Sequence, residues 1–229
     1  MKFFQTLSLS LFVSVYFHLS SPQQAYSELF QISPQELVYE LASTIAYGGN
    51  ILINVGPTSW GTIGPIYEER LRQLGAWLRV NGESIYAAQT WTIQNDQGYI
   101  WYTSKSEPVI DASIPFWEPG NESAIHPFRV RPLFPQKLLR TVVYAIITQW
   151  RNGNAFSNKP RCVGDILLPS VTAHPVQSEF YLLTGKDYKK LDFRIPSPRQ
   201  PGVLVAVPES ILQVEQLHWG CVIKIVNPN

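Results

Sequence analysis

The chain reads as an α+β protein, a helix-strand-helix unit followed by an antiparallel β-sandwich. Two patterns predict this. Residues 35–82 carry helical periodicity broken by one short apolar run at 51–55. Beyond Tyr86 the pattern becomes short stretches of β-branched and aromatic residues, separated by turn residues. Composition agrees: apolar residues make up 45% of the 229, with 18 prolines and 14 glycines, which argues for a folded, turn-rich chain.

The first helix starts with its own capping signal. Ser33 stands at the N-cap, Pro34 at the first helical position and Glu36 three residues after the cap, so that orphan backbone donors are satisfied. Leu37, Val38, Leu41 and Ile45 follow at helical spacing, and Gly48 and Gly49 allow a left-handed exit. The run 51–55 is of the kind that forms a strand buried on both faces. It leads through Asn54, Val55, Gly56, Pro57 and Thr58 into a loop with Gly61 and Gly64. A second helix from Pro65 aligns Leu71, Leu74 and Leu78, with Trp77 beside them, and stops at Asn81 and Gly82. The loop lies at the carboxyl end of the strand, where α/β proteins place ligands.

Strands are expected at 91–93, 99–103, 142–147, 164–168, 177–182, 191–195, 203–207 and 222–226, and seven or eight such strands imply a sandwich. The boundary between the two patterns falls at 86–90. Residues 106–140 break the rhythm, with six prolines in 35 residues and no sustained period. They read as an irregular insert.

Residues 1–25 read as a secretory signal peptide: one lysine, a mostly apolar stretch from Phe3 to Phe17, then a polar exit. A buried starting helix is the alternative, and no later stretch is apolar enough for a membrane span. Cys162 and Cys221 can pair in an oxidising lumen, and two buried free thiols are the other reading. Asn121, Glu122 and Ser123 form an N-glycosylation acceptor, meaningful if the leader is real.

Charge excludes several functions. Eighteen Lys and Arg against 17 Asp and Glu leave +1, so no broad field gathers nucleic acid. There is no HExxH, paired Cys-x-x-Cys or acidic calcium loop, so no metal is expected. No G-x-S-x-G elbow is present, and Gly48 and Gly49 precede their strand, the wrong order for a phosphate-cradling loop. Among the carboxylates, Glu68 and Glu69 fit the favourable helix N-terminus, and Glu83 is expected to fix a turn.

The stretches GGNILINVGPT (48–58), GTI (61–63), ERLRQLGAWL (69–78) and NGESIY (81–86) together resemble the closing part of the catalytic domain of α-L-fucosidases, retaining glycoside hydrolases. Residues 101–105 and 142–150 are similar to the first strands of that family's C-terminal sandwich. With the leader read over 1–25 and the irregular insert at 106–140, the resemblance implies the incomplete end of a (β/α)8 barrel over 26–88 and the β-sandwich over 89–229. It implies hydrolysis of α-L-fucosides without any cofactor, fucosylated glycans as partners, a tendency to homo-oligomers, and a lysosomal or extracellular location.

The family's aspartate nucleophile and glutamate acid/base belong to earlier barrel strands, so no catalytic residue is assigned here. The expectation is a truncated form, inactive alone. Only Asn54, Gly56 and Pro57 carry over, as a rim of the sugar pocket, with backbone turning as their other reading. The alternative function is a secreted, non-catalytic carbohydrate-binding or regulatory sandwich offering Trp91, Trp101 or Trp150 to sugars.

Overall fold

The structure, a computed structural model, describes residues 12–16, 33–108, 139–148, 151–152, 155–156, 162–185, 187–196, 201–210, 217 and 219–228. Its first strand, β1 (Phe12–Tyr16), pairs in parallel with β2 (Asn50–Asn54), in the register Phe12 to Asn50 through Tyr16 to Asn54. Between them lies α1 (Pro34–Ala46). The capping box forms: Ser33 Oγ accepts from the Glu36 N–H at 3.2 Å, and Glu36 Oε2 accepts from the Ser33 N–H at 2.7 Å. At the exit Gly48 has φ +77°, and a Cβ there would lie 2.9 Å from Thr90 Cγ2. Both conformation and space therefore require glycine.

Helix α2 (Pro65–Asn81) runs into a 3₁₀ turn at Gly82–Ser84. Its buried residues are Tyr67, Leu74, Trp77 and Asn81, so the inward stripe is turned from the Leu71, Leu74, Leu78 line read from the sequence. Trp77, the largest of these, sets the turn because its ring has the most apolar surface to remove from water.

Eight strands form one continuous sheet in the order β3-β4-β5-β12-β9-β10-β11-β8. They are β3 (Gln89–Asp96), β4 (Ile100–Pro108), β5 (Leu139–Thr148), β8 (Gly164–Leu168), β9 (Glu179–Leu183), β10 (Tyr188–Arg194), β11 (Val203–Val207) and β12 (Gly220–Val226). A separate pair, β6 (Arg151–Asn152) with β7 (Ala155–Phe156), stands outside the sheet. All neighbours in the large sheet are antiparallel. The sheet curls, so that Tyr102, Val143, Ala145 and Ile223 meet Ile166, Leu168, Val203 and Val205 in one core. This is the sandwich-like half of an α+β fold.

Trp101, Val142, Tyr144, Ile146 and Val222 point the other way and form a second core with Leu37, Val38, Leu41, Leu74 and Trp77. The helices thus cap the outer face of the sheet's centre. The central strands are buried on both faces, which is why every residue of β12 is buried.

Two expectations change. The run 51–55 was expected to be buried on both faces. Instead β2 alternates, with Ile51 and Ile53 packed toward α1 and Leu52 56% exposed, because a layer covers only one side among the described residues. The irregular stretch expected over 106–140 is strand at both ends, where Ser106 pairs with Thr141, Glu107 with Arg140 and Pro108 with Leu139. The antiparallel β4–β5 ladder simply continues into it; residues 109–138 lie outside the described residues.

Candidate functional site

The carboxyl end of β2 carries the residues expected to line a rim. Asn54 and Pro57 are exposed and Gly56 is half-buried. Pro57 bridges to Ile63, the Thr58 N–H donates to the Thr62 carbonyl at 2.7 Å, and the Thr58 and Thr62 hydroxyls are 2.7 Å apart. A tight hairpin results, its turn made by Gly61 at φ +76°. Its tip presents Trp60, 90% exposed. Val55 and Ile66 pack on buried Tyr67 and anchor the base of the loop. An indole held in water by a braced hairpin is a surface fit for an apolar ring face. Sequence reading passed over Trp60; its signal was an aromatic side chain between small turn residues, away from any periodic segment.

The alternative sugar platforms fare differently. Trp101 is buried, edge-on to Tyr39 and Tyr47, and half-buried Trp91 packs on Tyr102. Trp101 is thus out of a glycan's reach, and Trp91 gives part of its surface to the core. Trp150 and the glycosylation acceptor Asn121 lie outside the described residues.

A charged cluster joins the helical unit to the sheet. Lys224, in the middle of β12, reaches Glu83 Oε1 at 2.8 Å and Glu107 Oε1 at 2.9 Å. Tyr144 donates to Glu83 Oε1 and Tyr188 to Glu83 Oε2, each at 2.7 Å, while Arg140 donates to Glu107 Oε2 at 3.1 Å. Glu83 therefore does more than fix its turn: it ties the end of α2 to β5, β10 and β12. The turn reading is incomplete because the partners of Glu83 come from 61 and more residues away. Lys224 was the available clue, a lone cation in an otherwise apolar run.

Glu83 and Glu107 are the carboxylates that the fold brings together here, and their electrostatics do not suit glycoside cleavage. Burial works to raise both, but hydrogen bonds from Lys224, with Tyr188 and Tyr144 on Glu83 and Arg140 on Glu107, outweigh it and hold both below the ordinary carboxylate range. Burial lowers the Lys224 ammonium, and the same two carboxylates more than restore it, leaving it raised. A glycosidase needs one carboxyl kept protonated as acid. Both are ionised here, so the cluster is a structural clamp.

Glu68 pairs with Arg72 at 2.6 Å and Glu69 with Arg70 at 3.5 Å, both on the exposed side of α2. His174 Nδ1 accepts the Val176 and Gln177 N–H groups at 3.3 Å, holding a turn. No group of three His, Cys, Asp or Glu that could hold a metal occurs among the described residues. Cys162 and Cys221 form a disulfide with Cα atoms 5.9 Å apart, tying the segment before β8 to β12.

With this geometry in place, comparison with known proteins is direct. The α-L-fucosidase family profile matches residues 23–83, which contain α1, β2, α2 and the loop between β2 and α2. The human plasma α-L-fucosidase is 45% identical over 200 residues, covering 84% of this chain and 32% of that one. This chain belongs to the α-L-fucosidase family. The Branchiostoma floridae α-L-fucosidase is 54% identical over 76 residues, 32% of this chain and 17% of its own. The tissue enzyme of Bos taurus is 45% identical over 91 residues, 40% of this chain and 19% of its own.

The fold is that of solved fucosidases. The Thermotoga maritima α-fucosidase superposes with a TM-score of 0.53 at 21% identity, over 85% of this chain and 35% of that one. Isoenzyme 1 from Paenibacillus thiaminolyticus gives 0.53 at 21%, over 86% and 35%. This chain spans about a third of the length of such relatives. No described helix is long and apolar enough to cross a membrane.

Proposed function

We propose that residues 26–88 form the closing part of a fucosidase catalytic barrel, and that the loop 54–58 with the Trp60 hairpin shapes the rim of its α-L-fucoside pocket. The observation that carries this reading is the position of Asn54, Gly56 and Pro57 at the carboxyl end of strand β2, between α1 and α2 and inside the matched family segment. The reaction is retaining hydrolysis, in which one carboxylate attacks the anomeric carbon and a second protonates the leaving oxygen and then activates water. No carboxylate of this chain takes either role; both come from barrel repeats of the kind that precede this segment in full-length relatives. The chain alone is then an inactive partial form.

The natural setting in this proposal is the secretory pathway, lysosomal or extracellular, with residues 1–25 as a leader whose removal would free the β2 edge that Phe12–Tyr16 pairs with here, Asn121 glycosylated, fucosylated glycans as substrates and a homo-oligomer as the assembled enzyme. The test is a chimera in which residues 33–83 replace the matching segment of the human plasma enzyme. It should hydrolyse an aryl α-L-fucoside, and Asn54→Ala within it should raise KM about three- to tenfold, the range expected for one lost polar contact. A folded chimera without activity, or a KM indifferent to Asn54, contradicts the assignment.

A further inference from the structure

At the far end of α2 from the rim loop, the 3₁₀ turn and the β9–β10 hairpin enclose a pocket of about 160 Å³. The 17 residues of α2 put it roughly 25 Å from the loop at the helix start. Tyr86 and Tyr188 both line it, and both are exposed, at 61% and 54%. The polar lining comes from Arg79, Glu83, Thr184 and Asp187.

Two features separate this pocket from an ordinary surface crevice. Its aromatic walls are braced. Tyr188 is held by its hydrogen bond to Glu83 and by the Lys224 ammonium 4.9 Å from its ring centre, which leaves its other face for a ligand, and Tyr86 lies over Gly82, where a Cβ would stand 2.6 Å from the ring. Two of its charged groups are also available: neither the Arg79 guanidinium nor the Asp187 carboxylate is bonded to another described side chain, whereas Glu83 is taken up by Lys224, Tyr144 and Tyr188. A guanidinium offers forked donors, and a carboxylate and a hydroxyl offer acceptors, beside fixed aromatic rings. That combination suits a neutral ring with one apolar C–H face and an edge of adjacent hydroxyls. The volume is below the about 300–1,000 Å³ of sites for drug-sized ligands, which leaves room for a single ring.

We infer that this pocket is a monosaccharide-binding site, with Tyr86 and Tyr188 against the sugar's C–H surface and Arg79 and Asp187 on its hydroxyls. It would hold one pyranose unit of a glycan by stacking and hydrogen bonding. No carboxyl in it is paired for chemistry, so it binds without cleaving. The inference is independent of the role proposed for the rim loop, since it uses none of the same residues.

Saturation-transfer NMR on the full chain tests it, with methyl α-L-fucopyranoside, methyl β-D-galactopyranoside and methyl α-D-mannopyranoside as probes. At least one glycoside should receive saturation on its ring C–H protons. Tyr86→Ala should weaken its binding about fivefold, the order expected for losing one stacked ring. Asp187→Ala, a change at an exposed side chain, provides a second variant that keeps the fold and should weaken binding comparably, while Trp60→Ala should leave it unchanged. No transfer to any of the three at tens of millimolar, or transfer that survives both pocket variants or is lost with Trp60→Ala, overturns the assignment.

Discussion

The indole N–H of Trp77 donates to the carbonyl of Gly220 at 2.7 Å, across 143 residues of sequence and inside a fully buried contact. This bond joins the helical unit to the start of the sheet's central strand. Gly220 admits the approach: it has φ +153°, and a Cβ there would lie 3.1 Å from Val38 Cγ1 and 3.2 Å from the Ile147 carbonyl oxygen. The two halves of the chain are therefore one packed body at this point.

Trp77→Phe removes both the hydrogen bond and part of the ring, leaving the Gly220 carbonyl buried without its partner. The expected loss is about 2–4 kcal/mol of unfolding free energy. Urea denaturation followed by fluorescence and by far-UV circular dichroism should show one transition at lower midpoint. An unchanged midpoint would show that the helices contribute nothing through this contact.

Lys224→Met leaves Glu83 and Glu107 half-buried without their shared cation, at an expected cost of about 2–3 kcal/mol near neutral pH. The pH dependence follows from the directions of the shifts. Carboxyls depressed in the folded state give stability that is present above their unfolded range and lost as pH falls through their folded values. The raised ammonium gives stability that is full below its ordinary 10.5 and lost as pH rises through its folded value. Thermal melts should thus show a plateau from about pH 5 to pH 10 with an acid fall below it. In Lys224→Met the acid fall should be shallower, and an identical profile would dismiss the clamp.

The Cys162–Cys221 disulfide closes a loop with a sequence separation of 59. Serine at both positions should lower stability by about 4 kcal/mol in the chain-entropy account. Denaturation with and without reductant measures this, and a reductant-insensitive midpoint would mean that the bond constrains nothing.

Strands β4 and β5 are paired as far as Pro108 and Leu139, so the segment between them is the connection of a hairpin. Replacing 109–138 with Asn-Gly supplies a two-residue loop suited to closing that hairpin. Stability should hold or rise by about 1–2 kcal/mol through the smaller closure entropy. A destabilised or aggregating variant would show that the segment supports the sheet.

Local chemistry made much of this fold legible. The Ser33 to Glu36 capping box and the alternation between turn residues and β-branched runs each have a short-range cause, and each marks an element that forms. The run 222–226, apolar apart from Lys224, also marked a strand. What could not be read depends on partners far away in sequence. β12 comes last in the sheet's chain order yet lies between β5 and β9, and hydropathy carries no record of neighbours. Glu83 looked like a turn residue because Tyr144, Tyr188 and Lys224 only meet it after folding. The loop of Asn54, Gly56 and Pro57, proposed as a rim, was singled out through family motifs, whereas Trp60 beside it stands out through its exposure.

In the function proposed above, this member of the α-L-fucosidase family contributes a pocket rim and a sandwich, and the cleaving carboxylates come from other barrel repeats. Hydrolysis of 4-nitrophenyl α-L-fucopyranoside by the purified chain tests it most directly. Nitrophenol should be released at the rate of buffer alone from protein that melts cooperatively. Turnover above buffer that copurifies with the chain and is abolished by changing one of its own carboxylates would contradict it.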